Sequence, residues 1–145
     1  TQTCCAYLKQ ELSDMNKPYQ GSCMCGVVQF SFTGPALFVA DCVCASCRQA
    51  HGASAVTWVG VKSAHFTVDA GIASLRWYQS SQESERGFCT DCGTRMFFRS
   101  SKWPGEMHMT VANIALPHDL IASSVSFEQE LPAWTAMSVK KHTKN

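Results

Sequence analysis

The side chains best suited to chemistry are nine cysteines in 145 residues, and four of them form two distant pairs. Cys23-Met24-Cys25 and Cys89-Thr90-Asp91-Cys92 are each followed by a glycine, which lets backbone N–H groups turn toward the sulfur atoms. Two such pairs are typical of a structural zinc site, where four thiolates complete a tetrahedron. We therefore predict a closed zinc site. The alternative is four unpaired cysteines that pack as small apolar side chains.

A second group, Cys42, Cys44 and Cys47, places three thiols within six residues and has no obvious fourth cysteine. Three protein ligands and one open position are typical of a catalytic zinc, so a second zinc ion that binds substrate is predicted here. A closed site completed by a distant residue and a metal-free cluster are the alternatives. Candidate fourth ligands are His51, His108 and the adjacent pair Cys4-Cys5, although this pair also fits two ordinary surface thiols.

The composition restricts the compartment and the partners. Lysine and arginine number 12 against 11 acidic residues, for a net charge of +1, which gives no reason to expect nucleic acid or an anionic membrane as a partner. No stretch approaches the roughly 20 apolar residues of a membrane helix, and the first 20 residues lack a signal-peptide core. Closely spaced cysteines in odd number favour metal binding in a reducing compartment. We expect a cytoplasmic protein with a small-molecule substrate.

The chain is long enough for one domain, and its hydrophobic pattern is mainly β. We expect an N-terminal extension over residues 1–20 with a short helix at 5–15, a zinc domain over 21–136, and a basic tail over 137–145. Strands are predicted at 27–32, 55–61, 66–68, 75–78, 96–99, 107–114 and 124–127. In the strand at 107–114, Met107 and Met109 share one face, and alternation places His108 on the opposite, polar face, which we expect to be solvent-facing.

Three residues are candidates for catalysis. His51 follows Cys47 by four residues, close enough to move a proton at the metal, and His108 is a second candidate. Arg48 could bind a substrate carboxylate through two parallel hydrogen bonds. A histidine at a surface or helix end, a solvent-facing histidine and a surface arginine are the respective alternatives. The aromatic residues are expected in the core rather than around a ligand: Trp58, Phe66, Trp77, Phe97, Phe98 and Trp103.

Three motifs in this order resemble the family of glutathione-dependent formaldehyde-activating enzymes, which includes the centromere protein V type. They are Gly21-Ser22-Cys23-Met24-Cys25-Gly26, the segment Cys42 to Gly52, and Phe88-Cys89-Thr90-Asp91-Cys92-Gly93-Thr94. The resemblance implies an Mss4-like β-tent of antiparallel sheets joined by zinc. It assigns Cys23, Cys25, Cys89 and Cys92 to a structural zinc and Cys42, Cys44 and Cys47 to a catalytic one.

The activity implied by the resemblance is a carbon–sulfur lyase with glutathione as co-substrate. Many relatives carry two acidic residues where this chain has Val111 to Pro117, so we hypothesise a larger organic substrate and an elimination, decarboxylation or retro-aldol step. The alternative function is a non-enzymatic, zinc-stabilised interaction module. The three clustered cysteines favour the enzyme, because a scaffold needs only the four-cysteine site.

Overall fold

A computed structural model describes residues 17–139, and the expected helix at 5–15, Cys4, Cys5 and most of the basic tail lie outside this range. Within it, the helix α1 spans Ala45–His51. The strands are β1 Pro18–Ser22, β2 Gln29–Thr33, β3 Phe38–Cys42, β4 Val56–Lys62, β5 Phe66–Ala70, β6 Leu75–Gln79, β7 Ser84–Cys89, β8 Arg95–Ser100, β9 Glu106–Thr110 and β10 Ser124–Ser126.

The strands form two sheets. A three-stranded antiparallel sheet has the order β1-β2-β5, and a seven-stranded sheet has the order β10-β3-β4-β9-β8-β7-β6. In the larger sheet only β10 pairs in parallel, with β3. An isolated bridge pairs Gly21 of β1 with Ile114, four residues after the end of β9. No helix among residues 17–139 is long and apolar enough to cross a membrane.

Alternation along the strands gives the larger sheet two different apolar faces. Val59 and Val61 of β4 lie in the main core, which also includes Phe30 of β2 and Phe97 of β8, whose ring centroids are 4.9 Å apart. Their neighbour Trp58 points to the opposite face and packs in a smaller cluster with Cys42, Cys47 and Val56. Cys42 and Cys47 therefore lie on the sheet face away from the main core.

The seven predicted strands are present with shifted ends, because alternation marks the centre of a strand better than its limits. The largest difference is at β9, which ends at Thr110 before a short 3₁₀ turn over Val111–Asn113. Four elements were not predicted: β1, β3, β7 and α1. β1, β3 and β7 carry polar or short patterns and are held by pairing with neighbouring strands, and α1 is held by its caps; local periodicity reports neither.

Candidate metal centres and an adjoining cavity

The four-cysteine group joins the two sheets. Cys23 and Cys25 lie in the turn between β1 and β2, while Cys89 ends β7 and Cys92 lies in the turn before β8. The four sulfur atoms lie within 4.8 Å of one another. The Sγ atoms of Cys23 and Cys25 are 3.5 Å apart, and those of Cys25 and Cys89 are 3.9 Å apart. Sulfur atoms in a tetrahedral zinc site are about 3.8 Å apart, so this donor set fits a closed metal site.

Backbone geometry around these cysteines follows from the two glycines. Gly26 and Gly93 have φ angles of 80° and 75°, a left-handed conformation that glycine adopts without steric cost. The Gly93 turn is closed by a hydrogen bond from its amide to the Cys89 carbonyl, 2.8 Å. The Val28 amide donates to Cys23 Sγ at 3.3 Å. The predicted role of the glycines in turning the chain at the cysteines is consistent with this geometry.

The three-cysteine group lies at the junction of β3 and α1. Cys42 ends the strand, Cys44 caps the helix, and Cys47 lies inside it. The Cys44 sulfur accepts a hydrogen bond from the Cys47 amide, 3.4 Å, as an N-cap side chain does. The three sulfurs lie within 4.8 Å of one another, and no other described side chain belongs to the group. Neither His51 nor His108 therefore supplies a fourth ligand in this arrangement.

A buried arginine that the sequence did not single out as functional contacts this group. Arg86 of β7 is only 5% exposed, and its Nη1 and Nη2 atoms lie 3.8 and 3.7 Å from Cys47 Sγ. A hydrogen bond from Cys42 and then the positive charge of Arg86 lower the pKa of Cys47 to about 5, against the effect of burial. The guanidinium also lies over the Phe98 ring at 5.1 Å. The sequence signals were its position three residues before Cys89 and the resemblance of the stretch from Trp77 to Arg86 to the family pattern before the third motif.

His108 is buried, so the prediction that it faces solvent is wrong. It is 8% exposed, and its Nε2 lies 2.8 Å from Glu106 Oε2, where the carboxylate accepts the hydrogen bond. The ring makes an edge contact with Phe38 at 4.8 Å and stacks on Phe98 at 5.6 Å between centroids. The polar face of β9 is thus covered by aromatic rings from neighbouring segments rather than by water.

Cross-strand register explains how these groups meet. Arg86, Phe98, His108 and Gly60 are successive partners across β7, β8, β9 and β4, and Phe38 of β3 is the next partner after Gly60. A Cβ atom at Gly60 would overlap the Phe38 ring, so glycine lets this ring reach His108. One row of the sheet therefore connects the arginine at Cys47 with the histidine beside Cys42.

A cavity of about 350 Å³ lies beside the three-cysteine group. Of the three cysteines only Cys42 lines it, together with His108 and Glu106, and Trp58 forms part of its wall. The volume lies within the range of small-molecule sites. Trp103 also borders it and is 42% exposed. A molecule in this cavity would therefore reach both the His108–Glu106 pair and a metal held by the three cysteines.

The remaining predicted site residues lie elsewhere around α1. His51 makes an edge contact with Trp58, 5.3 Å between centroids, and lines a separate cavity of about 560 Å³ with Arg95 and His118. Burial, followed by the charges of Arg86 and Arg95, lowers the pKa of His51 to about 4. Among the described residues, no cysteine lines that cavity.

Arg48 is engaged by the backbone. Its Nε donates to the Val43 carbonyl at 2.9 Å and its Nη2 to the Glu130 carbonyl at 3.4 Å. The guanidinium lies 5.9 Å from the Trp134 ring centroid. These contacts hold α1 against the segments that precede and follow it. The role of Arg48 toward a substrate stays a prediction.

The profile of one family, "Glutathione-dependent formaldehyde-activating enzyme", matches residues 18–130. This chain belongs to that family. A crystal structure of a Rhodobacter sphaeroides protein, a structural genomics target, is similar with a TM-score of 0.61 at 23% identity. That match covers 74% of this chain and 99% of the other. The likeness concerns the fold alone. No curated protein matches the chain.

Membership in the formaldehyde-activating family and the observed sheets confirm the resemblance and the mainly β fold predicted from the sequence. Both predicted cysteine groups are assembled in space and could hold metal ions. Thiolate-only donor sets with these separations suit a soft or borderline metal. The family match begins at Pro18, where β1 begins, and it includes all seven of these cysteines.

Proposed function

We propose that the chain is a zinc-dependent lyase that acts on a small organic molecule at the Cys42-Cys44-Cys47 group. The observation that carries the proposal is the three-sulfur group with no fourth described ligand, one sulfur of which lines a cavity. A second zinc ion, held by Cys23, Cys25, Cys89 and Cys92, stabilises the fold. A cytoplasmic location stays a prediction from the cysteine content.

Zinc held by three thiolates would lower the pKa of a bound thiol or water and polarise a carbonyl group. The chain itself supplies the proton carrier. His108 Nε2 and Glu106 share a hydrogen bond in which the carboxylate is the acceptor, which orients the ring and leaves Nδ1 to exchange a proton with the substrate. Phe38 and Phe98 pack against the ring and limit its rotation. We assign the proton transfer to His108 and the orientation of its ring to Glu106.

In the carbon–sulfur reaction of the family, the thiol sulfur of glutathione bonds to the formaldehyde carbon, and the thiol proton ends on the carbonyl oxygen; the reverse reaction splits the adduct. The same site would suit elimination, decarboxylation or retro-aldol cleavage of a larger molecule.

Asn113, within the segment that lacks the acidic pair, donates to the Thr110 hydroxyl and to the Arg95 carbonyl at 3.3 Å. That segment is engaged in structural contacts, which supports a remodelled substrate.

A nuclear magnetic resonance assay tests the activity. Zinc-loaded protein is mixed with glutathione and formaldehyde, and exchange between free and adduct species is followed, with Cys44→Ser as the control. Acceleration that is lost in Cys44→Ser supports the lyase and refutes a remodelled substrate. If protein fully loaded with zinc does not accelerate the exchange, a different substrate is supported, provided that the cobalt experiment below finds an open coordination position on the metal.

Cobalt substitution separates the lyase from the alternative, an interaction module. In a protein whose zinc is replaced by Co²⁺, added small thiols should change the visible absorption of the three-cysteine centre, because an open position accepts a ligand. A spectrum that no thiol or aldehyde alters indicates a closed or absent second site. That result would reject the enzyme and favour the interaction module.

A further inference from the structure

We propose that the cavity beside Cys42 binds an uncharged molecule with an aromatic or similarly flat apolar ring, whose sulfur or oxygen group faces the three-cysteine centre. This inference rests on the proposed lyase function and names its substrate class. Three features of the cavity support it: aromatic walls, the absence of lysine and arginine among its described lining residues, and apolar lining side chains that remain exposed.

The walls of the cavity are rings that come from different parts of the chain. Phe38 and Trp58 are contributed by the adjacent strands β3 and β4, and Trp103 lies in the loop before β9. Trp58 is 5% exposed and is fixed between His51 and Phe98, with ring centroids at 5.3 and 6.0 Å. Rings in fixed positions favour a flat apolar ligand, since aromatic pairs stack or meet edge to face.

The charges of the cavity do not match glutathione. That tripeptide carries two carboxylates and an ammonium group, and each loses hydration on entering a cavity unless a partner replaces the water. No lysine or arginine occurs among the described lining residues. The ionisable groups there are Cys42, Glu106 and His108, and the last two already bond to each other. An uncharged ligand avoids this desolvation cost.

The mouth of the cavity exposes large apolar side chains. Three residues that line the cavity are partly exposed to solvent: Leu37 by 44%, Trp103 by 42% and Phe127 by 49%. Phe127 also has a φ angle of 58°, which is unfavourable for a residue other than glycine. Because 49% of the surface of Phe127 remains exposed, packing within the chain does not fully account for a phenylalanine at this position. A ring-bearing ligand would cover these three side chains.

The experiment uses 4-fluorobenzyl alcohol as the probe and zinc-loaded protein, with binding followed by fluorine NMR. Trp103→Ala should weaken probe binding roughly tenfold, because one face of the bound ring loses its contact. Phe127→Gly should weaken probe binding and raise the thermal unfolding midpoint, since glycine relieves the left-handed strain. The matched control is Tyr78→Ala, which removes an aromatic side chain that is 60% exposed on the edge strand β6 and should change neither quantity.

A purely structural role for Phe127 predicts that Phe127→Gly lowers stability and leaves probe binding unchanged, and this result would overturn the inference. It would also be overturned if glutathione displaced the probe at lower concentration than benzyl mercaptan does. Metal content and lyase activity are measured on the same samples. If the protein contains two metal ions and is active but does not bind the probe, the proposed ligand class alone is rejected. Inactive protein, or protein with one metal, that still binds the probe rejects the lyase and retains the cavity's preference.

Discussion

Both terminal nitrogens of Arg86 lie against the sulfur of Cys47, at 3.8 and 3.7 Å. The guanidinium is buried, and no carboxylate of the described chain forms an ion pair with it. Because arginine keeps its charge in proteins, a buried guanidinium needs an anion beside it. The Cys47 thiolate is that anion. If the group holds Zn²⁺, three thiolates and the ion would carry a net charge of −1, which the positive charge of Arg86 would offset.

Replacing this arginine should therefore weaken one metal site selectively. Arg86→Met keeps much of the side-chain volume, and we expect metal affinity at the three-cysteine site to fall roughly 10- to 100-fold, as for other partners of metal ligands. Chelator competition with metal analysis measures both sites. Arg76→Met, at an exposed position on β6, is the matched control. Equal affinity in the two variants would show that Arg86 has no role in holding the metal.

Removing a single ligand should have different consequences at the two sites. The wild-type protein is expected to contain two zinc ions by elemental analysis. Cys92→Ser opens the site that joins the two sheets, and a structural zinc contributes roughly 10 kcal/mol of folding free energy in small zinc domains, so we expect unfolding or aggregation. Cys44→Ser should remain folded with one zinc and lose activity. Similar melting of both variants in calorimetry would contradict the assignment.

His51 should remain neutral at pH 7. Its pKa is lowered from 6.5 to about 4, so between these values the unfolded chain binds a proton at this position and the folded chain does not. The contribution of His51 to stability is therefore complete above pH 6.5 and decreases as the pH falls toward 4. Heteronuclear NMR of the imidazole measures the titration directly. His51→Gln should flatten the stability profile in this window, and a midpoint near 6.5 would disprove the shift.

Gly60 should tolerate no side chain while Phe38 keeps its position. Gly60→Ala places a methyl group in the Phe38 ring, and we expect a loss of about 1–3 kcal/mol of unfolding free energy from overpacking. In the double variant with Phe38→Leu, part of this loss should be recovered because the smaller side chain makes room. Denaturant unfolding of the wild type, the two single variants and the double variant gives a double-mutant cycle. Strict additivity would indicate that the two positions do not compete for space.

Spacing alone was enough to predict both cysteine groups, because three cysteines lie within six residues and the other four form two close pairs of the kind that share one zinc ion. The environment of His108 could not be predicted in this way. Alternation along β9 correctly separates His108 from Met107 and Met109, but it does not indicate what covers the second face. That face is covered by Phe38, which belongs to a strand that the pattern did not reveal.

Arg86 was missed for a related reason. It lies in β7, whose first residues continue the run of polar side chains that follows the predicted strand at 75–78. Pairing on both sides, with β6 and β8, makes this segment a strand. The position of the guanidinium depends on contacts between residues 39 positions apart, which no local pattern contains.

The two cysteine groups also differ in how much chain must close to form them. Cys42 to Cys47 span six residues, whereas Cys25 and Cys89 are separated by 64 positions. Closing a short loop has the smaller entropic cost, so the three-cysteine group can gather around an ion before the sheets have formed. The four-cysteine group exists only after the β1–β2 turn meets the end of β7. An ion bound by the three-cysteine group would thus be able to enter before an ion bound by the four-cysteine group.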